Sequence, residues 1–270
     1  MADKKKNAPR FMAPRGVFVF PKLNAADTKF KAEGEFAVKV RVDSERPDVQ
    51  AFIAKLTPFH DAAVEAGRVA FQALPVKARK DFEKKGVKDA VVNPLFSEVY
   101  DEETEQPTGA VEFKFSTPAS GTIKNGKYAG KVFIKRPTLV DAKGKVLVQG
   151  TDFSFLSDVK QGTLQNTVLR KMGPAIWGGS EGICAIEIGL NKDGEPGYFI
   201  PGTAACGLSL RLRGVQLLKL VQGGSADMGF GQEEGYEADD GDEHDSEDAD
   251  STDNAGTDDT SDDATSGSEF

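Results

Sequence analysis

The residues able to do covalent or metal chemistry are few in this chain and badly placed for it. There are two histidines, His60 and His244, and two cysteines, Cys184 and Cys206. A histidine acid–base pair, a nucleophilic triad or a His-rich metal site needs such groups gathered in one region. Here one histidine falls in a helical stretch and the other in an acidic tail. The cysteines lack CxxC spacing and read as small core residues of a reducing, cytoplasmic compartment. Gly121-Thr122-Ile123-Lys124-Asn125-Gly126-Lys127 matches the start of a phosphate-binding loop, but Tyr128 stands where a magnesium-binding Ser or Thr is required. The alternation from Lys131 to Lys135 is that of a strand, not of the helix such a loop opens, so Asn125-Gly126 reads as a hairpin turn. The acidic tail has neither the spacing nor the glycine of a calcium loop. No catalytic residue, metal or cofactor is expected.

The charged and aromatic residues offer a different chemistry, contact with a polyanion. The net charge of −9 hides two opposite parts. Residues 1–219 hold all 34 Lys and Arg against 25 acids, whereas residues 220–270 hold 18 acids and no Lys or Arg. A basic body joined to an acidic segment points to nucleic acid or a similar anion. Proteins that bind single strands without sequence preference combine a cationic groove for phosphates with aromatic faces on which bases stack. Read by strict alternation, three strands turn cations outward: Lys39 with Arg41, Lys131 with Lys135, and Arg211 with Arg213. Arg136 adjoins the second pair. Phe133 falls between Lys131 and Lys135 on the same face, and Tyr128, Trp177 and Tyr198 lie in Gly-rich surroundings that present rings. The expected phosphate contacts are therefore Lys39, Arg41, Lys131, Lys135, Arg136, Arg211 and Arg213. Phe133, Tyr128, Trp177 and Tyr198 are the expected stacking residues.

These side chains need a rigid β scaffold. Residues 15–20 and 34–42 read as strands, the second alternating Phe36, Val38, Val40 and Val42 with Lys39 and Arg41. Pro47 opens a helical stretch with Val49, Phe52, Ile53 and Leu56, and a second helix over about 77–85 stops at Gly86. Beyond residue 109, short strands punctuated by Gly and Pro dominate, which argues for a barrel or sandwich. The expected organisation is a flexible basic arm over 1–14, a β domain over 15–222 with a helical insertion at about 47–90, and a disordered acidic tail over 223–270. No run is apolar enough to span a membrane, and no secretion signal follows the basic N-terminus. In the tail, Ser268-Glu269-Phe270 stands out as an aromatic ending on an acidic segment, a candidate contact for partner proteins through Glu269 and Phe270.

Two blocks carry a family likeness. Ile176-Trp177-Gly178-Gly179, the strand Ile183–Leu190 and the run Gly207–Leu220 resemble phage-encoded single-stranded DNA-binding proteins, as does Lys135-Arg136-Pro137-Thr138-Leu139-Val140-Asp141-Ala142. The resemblance implies an OB-fold-like five-stranded barrel, mainly β, with extra strands, a helical insertion and an acidic tail. It also implies a protein that coats single-stranded DNA in phage replication, recombination and repair, and that meets DNA polymerase and other replisome proteins through its tail. A homodimer is left open. The competing readings are an acidic-tailed chaperone or assembly factor, and a single-strand annealing recombinase.

Overall fold

Strands with an apolar residue at every second position have one face to bury, and here five of them bury it by closing on one another. The computed structural model describes residues 8–123, 128–156, 170–191 and 193–221. The chain opens with β1 (Arg10–Met12), β2 (Gly16–Asp27) and β3 (Glu35–Asp43), followed by helices α1 (Pro47–Gln72) and α2 (Val76–Lys84). Then come β4 (Val91–Val92), β5 (Ser97–Tyr100), β6 (Pro107–Pro118), β7 (Ser120–Thr122), β8 (Val132–Arg136), β9 (Thr138–Val140) and β10 (Val146–Val148). The last are β11 (Thr151–Leu156), β12 (Glu181–Ile188), β13 (Tyr198–Ile200), β14 (Ala205–Gly207) and β15 (Leu210–Lys219).

β2 pairs with β3, β3 with β6, and β12 with both β15 and β2, all antiparallel. β15 meets β6 in parallel, which closes the circuit β12-β2-β3-β6-β15. The result is a closed five-stranded, OB-like barrel with added strands and a helical insertion between its second and third strands. β1 continues the edge of β12 beside β2, and β5 extends β6. β9 runs parallel to β15, carrying β10 with it. β7, β8 and β11 form a separate small sheet, as do β13, β14 and β4.

The barrel interior is built from the alternation. Phe18, Val40 and Phe113 stand opposite one another across β2, β3 and β6, and Val38 faces Phe115. All five are buried, and each such side chain contributes roughly 1.5–3 kcal/mol. Phe113 is the hub: its ring lies 5.3 Å from Phe52 of α1, 5.6 Å from Phe96 and 6.2 Å from the stacked ring of Phe115. Pro47 sits in the first turn of α1, where its missing N–H costs nothing. The C-terminal half of that helix lies on β14 through Gly67, where a β-carbon would come within 2.3 Å of the Cys206 Cβ. Gly182 plays the same part at the barrel seam. A β-carbon there would lie 2.3 Å from the Gln216 carbonyl and 2.5 Å from the Phe18 ring.

Part of the expected N-terminal arm is ordered structure. Residues 10–12 form β1, with Arg10 opposite Glu187 and Met12 opposite Ala185, and Ala13 is buried. The reason is the backbone of β12, whose donors and acceptors beyond the short β2 pairing need a partner. Residues 1–7, the Asn125-Gly126 turn and the acidic tail lie outside the described residues. Both cysteines are free and buried, and burial pushes the Cys184 thiol well above its ordinary range. Among the described residues no helix is long and apolar enough to cross a membrane.

Because Phe113 joins barrel and helix, Phe113→Ala is expected to cost about 3–5 kcal/mol. Urea denaturation of the full chain measures it; a loss below about 1 kcal/mol would contradict the packing described.

Candidate nucleic-acid interface

The register that buries Phe18, Val40 and Phe113 fixes what the outer face carries. Val17, Arg41 and Glu112 form one outward row across β2, β3 and β6; Val19, Lys39 and Lys114 form the next. Lys22, Ala37 and Ser116 form a third, which continues onto Arg211 of β15. Arg213 occupies a bulge, since the β12–β15 register shifts between Ala185 and Ile186. In an OB barrel the second and third strands, with the loops joining strands 1–2 and 4–5, form the oligomer-binding face. Here those strands are β3 and β6, and the loops are residues 28–34 and 189–209.

Three carboxylates hold the cations of this face. Glu112, almost fully buried, accepts hydrogen bonds from Lys39 Nζ at 3.0 Å and from Arg41 Nη2 and Nε at 2.8 and 3.0 Å. Asp152 on β11 accepts from Arg213 Nη1 at 2.7 Å and lies 3.8 Å from Lys135 Nζ. Glu187 lies 3.6 Å from Arg213 Nε and 3.7 Å from Arg10 Nε. Burial acts to raise the Glu112 carboxyl, but the hydrogen bonds from Arg41 and Lys39 outweigh it and hold it below the ordinary carboxylate range. Burial likewise opposes ionisation of Asp152, and Arg213 and Lys135 overcome it. The Asp152 hydrogen bond in turn raises the Arg213 guanidinium above its usual value. Glu112 and Asp152 are thus held in their charged form, and eight cations (Arg10, Lys22, Lys39, Arg41, Lys114, Lys135, Arg211, Arg213) outnumber the three carboxylates of the face.

The structure brings most of the sequence-predicted contacts together. Lys39 and Arg41 share Glu112, and Lys135 meets Arg213 across Asp152. Arg211 pairs with Ser116 on the adjoining row. Phe133 and Lys135 stand on the outer side of β8, with the ammonium 5.8 Å from the ring. The ring is half-buried on Gly121, where a β-carbon would come within 2.7 Å of it. Lys131 and Tyr128 sit at the far end of that ribbon, 5.7 Å apart. Tyr198 lies in the 189–209 loop, its hydroxyl accepting a 2.6 Å hydrogen bond from Asn93 Nδ2. It borders a hollow of about 410 Å³ together with Lys114, Ser116 and Ser209. Trp177 is placed apart from these, in a cleft beside β2.

Arg136 requires correction as a surface contact. It is 5% exposed, its guanidinium packs 4.9 Å over the Phe36 ring, and it donates to the Asn24 and Arg170 carbonyls. Burial lowers its affinity for protons. It ties β8 to β2 rather than facing solvent. Glu269 and Phe270 lie outside the described residues. Residues overlooked in the sequence include Lys114, whose alternation with Phe113 and Phe115 already marks it as outward, and the orienting acids Glu187 and Asp152. Among the described residues no cluster of His, Cys, Asp and Glu is placed to hold a metal ion. His60 instead bonds through Nε2 to the Asn93 carbonyl at 3.0 Å.

Barrel and face together define an OB-like fold with a cationic outer surface. Among solved structures the chain is similar to gp2.5, a single-stranded DNA-binding protein encoded by bacteriophage T7. The identity is 19% over 86% of this chain and all of that one, with a TM-score of 0.49. It is also similar to the single-stranded DNA-binding protein of bacteriophage Enc34 in complex with single-stranded DNA, at 10% identity, covering 79% of this chain and 88% of that one, with a TM-score of 0.37. No protein-family model and no curated protein matches the chain.

The lowered carboxyls set an acid limit. Their contribution to stability is complete above the ordinary carboxylate values and is lost as pH falls through their lowered folded-state values. Denaturation midpoints followed from neutral to strongly acid pH are expected to hold above the ordinary carboxylate values and to fall from there through the lowered folded-state values. Glu112→Gln is expected to flatten part of that drop; an unchanged pH profile would contradict the assignment.

Proposed function

We infer that this chain binds single-stranded DNA without catalysis, along the outer face of β3, β6 and β15. The observation that carries the reading is the register itself. It sets Lys39, Lys114, Arg211 and Arg213, with Lys135 beside them, on one surface between the two loops that an OB barrel uses for oligomers. Phosphates meet the cations, while Phe133 and Tyr198 offer rings to bases at two borders of the face, and Tyr128 and Lys131 extend the ribbon outward. The three carboxylates keep the guanidinium and ammonium groups in place before DNA arrives, which lowers the ordering cost of binding.

The sequence likeness to phage single-stranded DNA-binding proteins supports placing this activity in phage replication, recombination and repair. In the same reading the acidic segment, with 18 acids beyond residue 219, competes for the cationic face at an effective concentration of about millimolar. Displaced by DNA, it becomes available, with Glu269 and Phe270, to polymerase and other replisome proteins.

Two outcomes are expected from affinity measurements on fluorescent oligo-dT over a range of salt. Lys114→Ala and Arg211→Ala each reduce the log–log salt slope by about 0.7, the value for one phosphate contact on a single strand. Removing residues 224–270 tightens binding, most at low salt. Equal affinity for single- and double-stranded DNA, with slopes unmoved by either substitution, would sink the reading.

A further inference from the structure

β2 does not run straight. Its register with β3 slips between Val19 and Lys22, and Phe20 at the slip has a φ of 48°. A bulky side chain in that left-handed region is strained, and such strain collects at functional positions. Burial does not offset it, because Phe20 is 77% exposed. At the tip of the β2–β3 loop, Phe30 is 84% exposed, with Lys29 Nζ 5.4 Å from its ring. Beside β2 opens a cleft of about 550 Å³ lined by Pro21, Lys22, Lys29, Lys171 and Trp177, with Trp177 itself 49% exposed.

Three solvent-facing aromatic rings and three lysines thus border one stretch of chain. An apolar patch alone would suit a protein partner. Lysines interleaved with exposed rings suit a strand whose phosphates and unstacked bases need both. Continuity with the barrel face comes from Lys22, which lines the cleft and also belongs to the outward row Lys22-Ala37-Ser116-Arg211. β15 and β2 are three strand spacings apart on that row, about 14 Å.

We propose that this cleft, with Phe20 and Phe30 as stacking posts, is a second contact segment for the same single strand, which crosses the barrel face and continues beside Trp177. The proposal rests on the nucleic-acid reading of the barrel face. It gives the exposed, strained Phe20 a purpose: the bulge holds the ring off the barrel where a base can lie on it.

Trp177 is the only tryptophan of the chain, so its fluorescence reports this segment alone. The full chain is titrated with labelled oligo-dT of about 4 to 16 nucleotides, the range of OB sites. Anisotropy reports binding anywhere, and Trp177 quenching reports the cleft. Short oligonucleotides are expected to bind without quenching, and quenching to begin only above a threshold length. Phe20→Gly, which keeps the positive φ at no steric cost, and Phe30→Ala are each expected to weaken long oligonucleotides at least about fivefold. Phe20→Gly should not change the affinity of the shortest bound oligonucleotide, and neither substitution should lower the melting temperature. Binding at every length with no quenching, and no effect of either substitution, overturns the second segment and leaves the barrel face standing. Absence of binding at every length overturns both. Quenching by a synthetic acidic peptide of residues 255–270, and by no oligonucleotide, assigns the cleft to an acidic polypeptide and overturns the proposal as well.

Discussion

Closure of the barrel by β15 is the constraint on which the rest depends. This one strand pairs with β12, runs parallel to β6 and carries β9 on its far half. Leu210, Leu212, Val215 and Leu217 face inward, so the strand is held by core burial as well as by its ladders. The inward set changes parity at the bulge, which lets Arg213 lean toward both Asp152 and Glu187. Without closure, Arg211 would share no face with Lys39 and Lys114, which the β3–β6 pairing sets side by side. The cationic surface is therefore a consequence of the core, since its rows are the reverse side of Phe18, Val40 and Phe113.

The second constraint is electrostatic. A surface dense in Lys and Arg repels itself, and Glu112, Asp152 and Glu187 relieve that repulsion from within the face. Set among the cations, these acids orient the head groups without cancelling their surplus. With the Lys and Arg head groups still partly exposed, such pairs add modestly to stability; their main value lies in holding the cations in one geometry.

The barrel strands and their outward cations are legible in the alternation of Val38, Val40 and Val42, and of Phe113 and Phe115. Pairing partners are not legible there, because the parallel contact of Ser116 with Arg211 joins distant segments with no local signal. Arg136 could have been set aside from sequence: neighbours on a strand point to opposite faces, so with Lys135 outward Arg136 must turn in. Strict alternation would also bury Phe18 and Phe20 together. The bulge separates them, and its one sequence sign is Pro21, which cannot donate to a ladder and marks strand irregularities. Phe30 carries a signal of its own in the flanking Lys29 and Lys31. Asp152 and Glu187 are hidden because their partners are set by tertiary contact alone.

Lysine reactivity read by mass spectrometry, with and without saturating oligo-dT, tests the location of the interface most directly. The account predicts that acylation of Lys39, Lys114 and Lys135 is suppressed by DNA while Lys55, Lys77, Lys80 and Lys84 on the helical insertion react as before. Protection confined to the helices, with the β3 and β6 lysines unchanged, would contradict it.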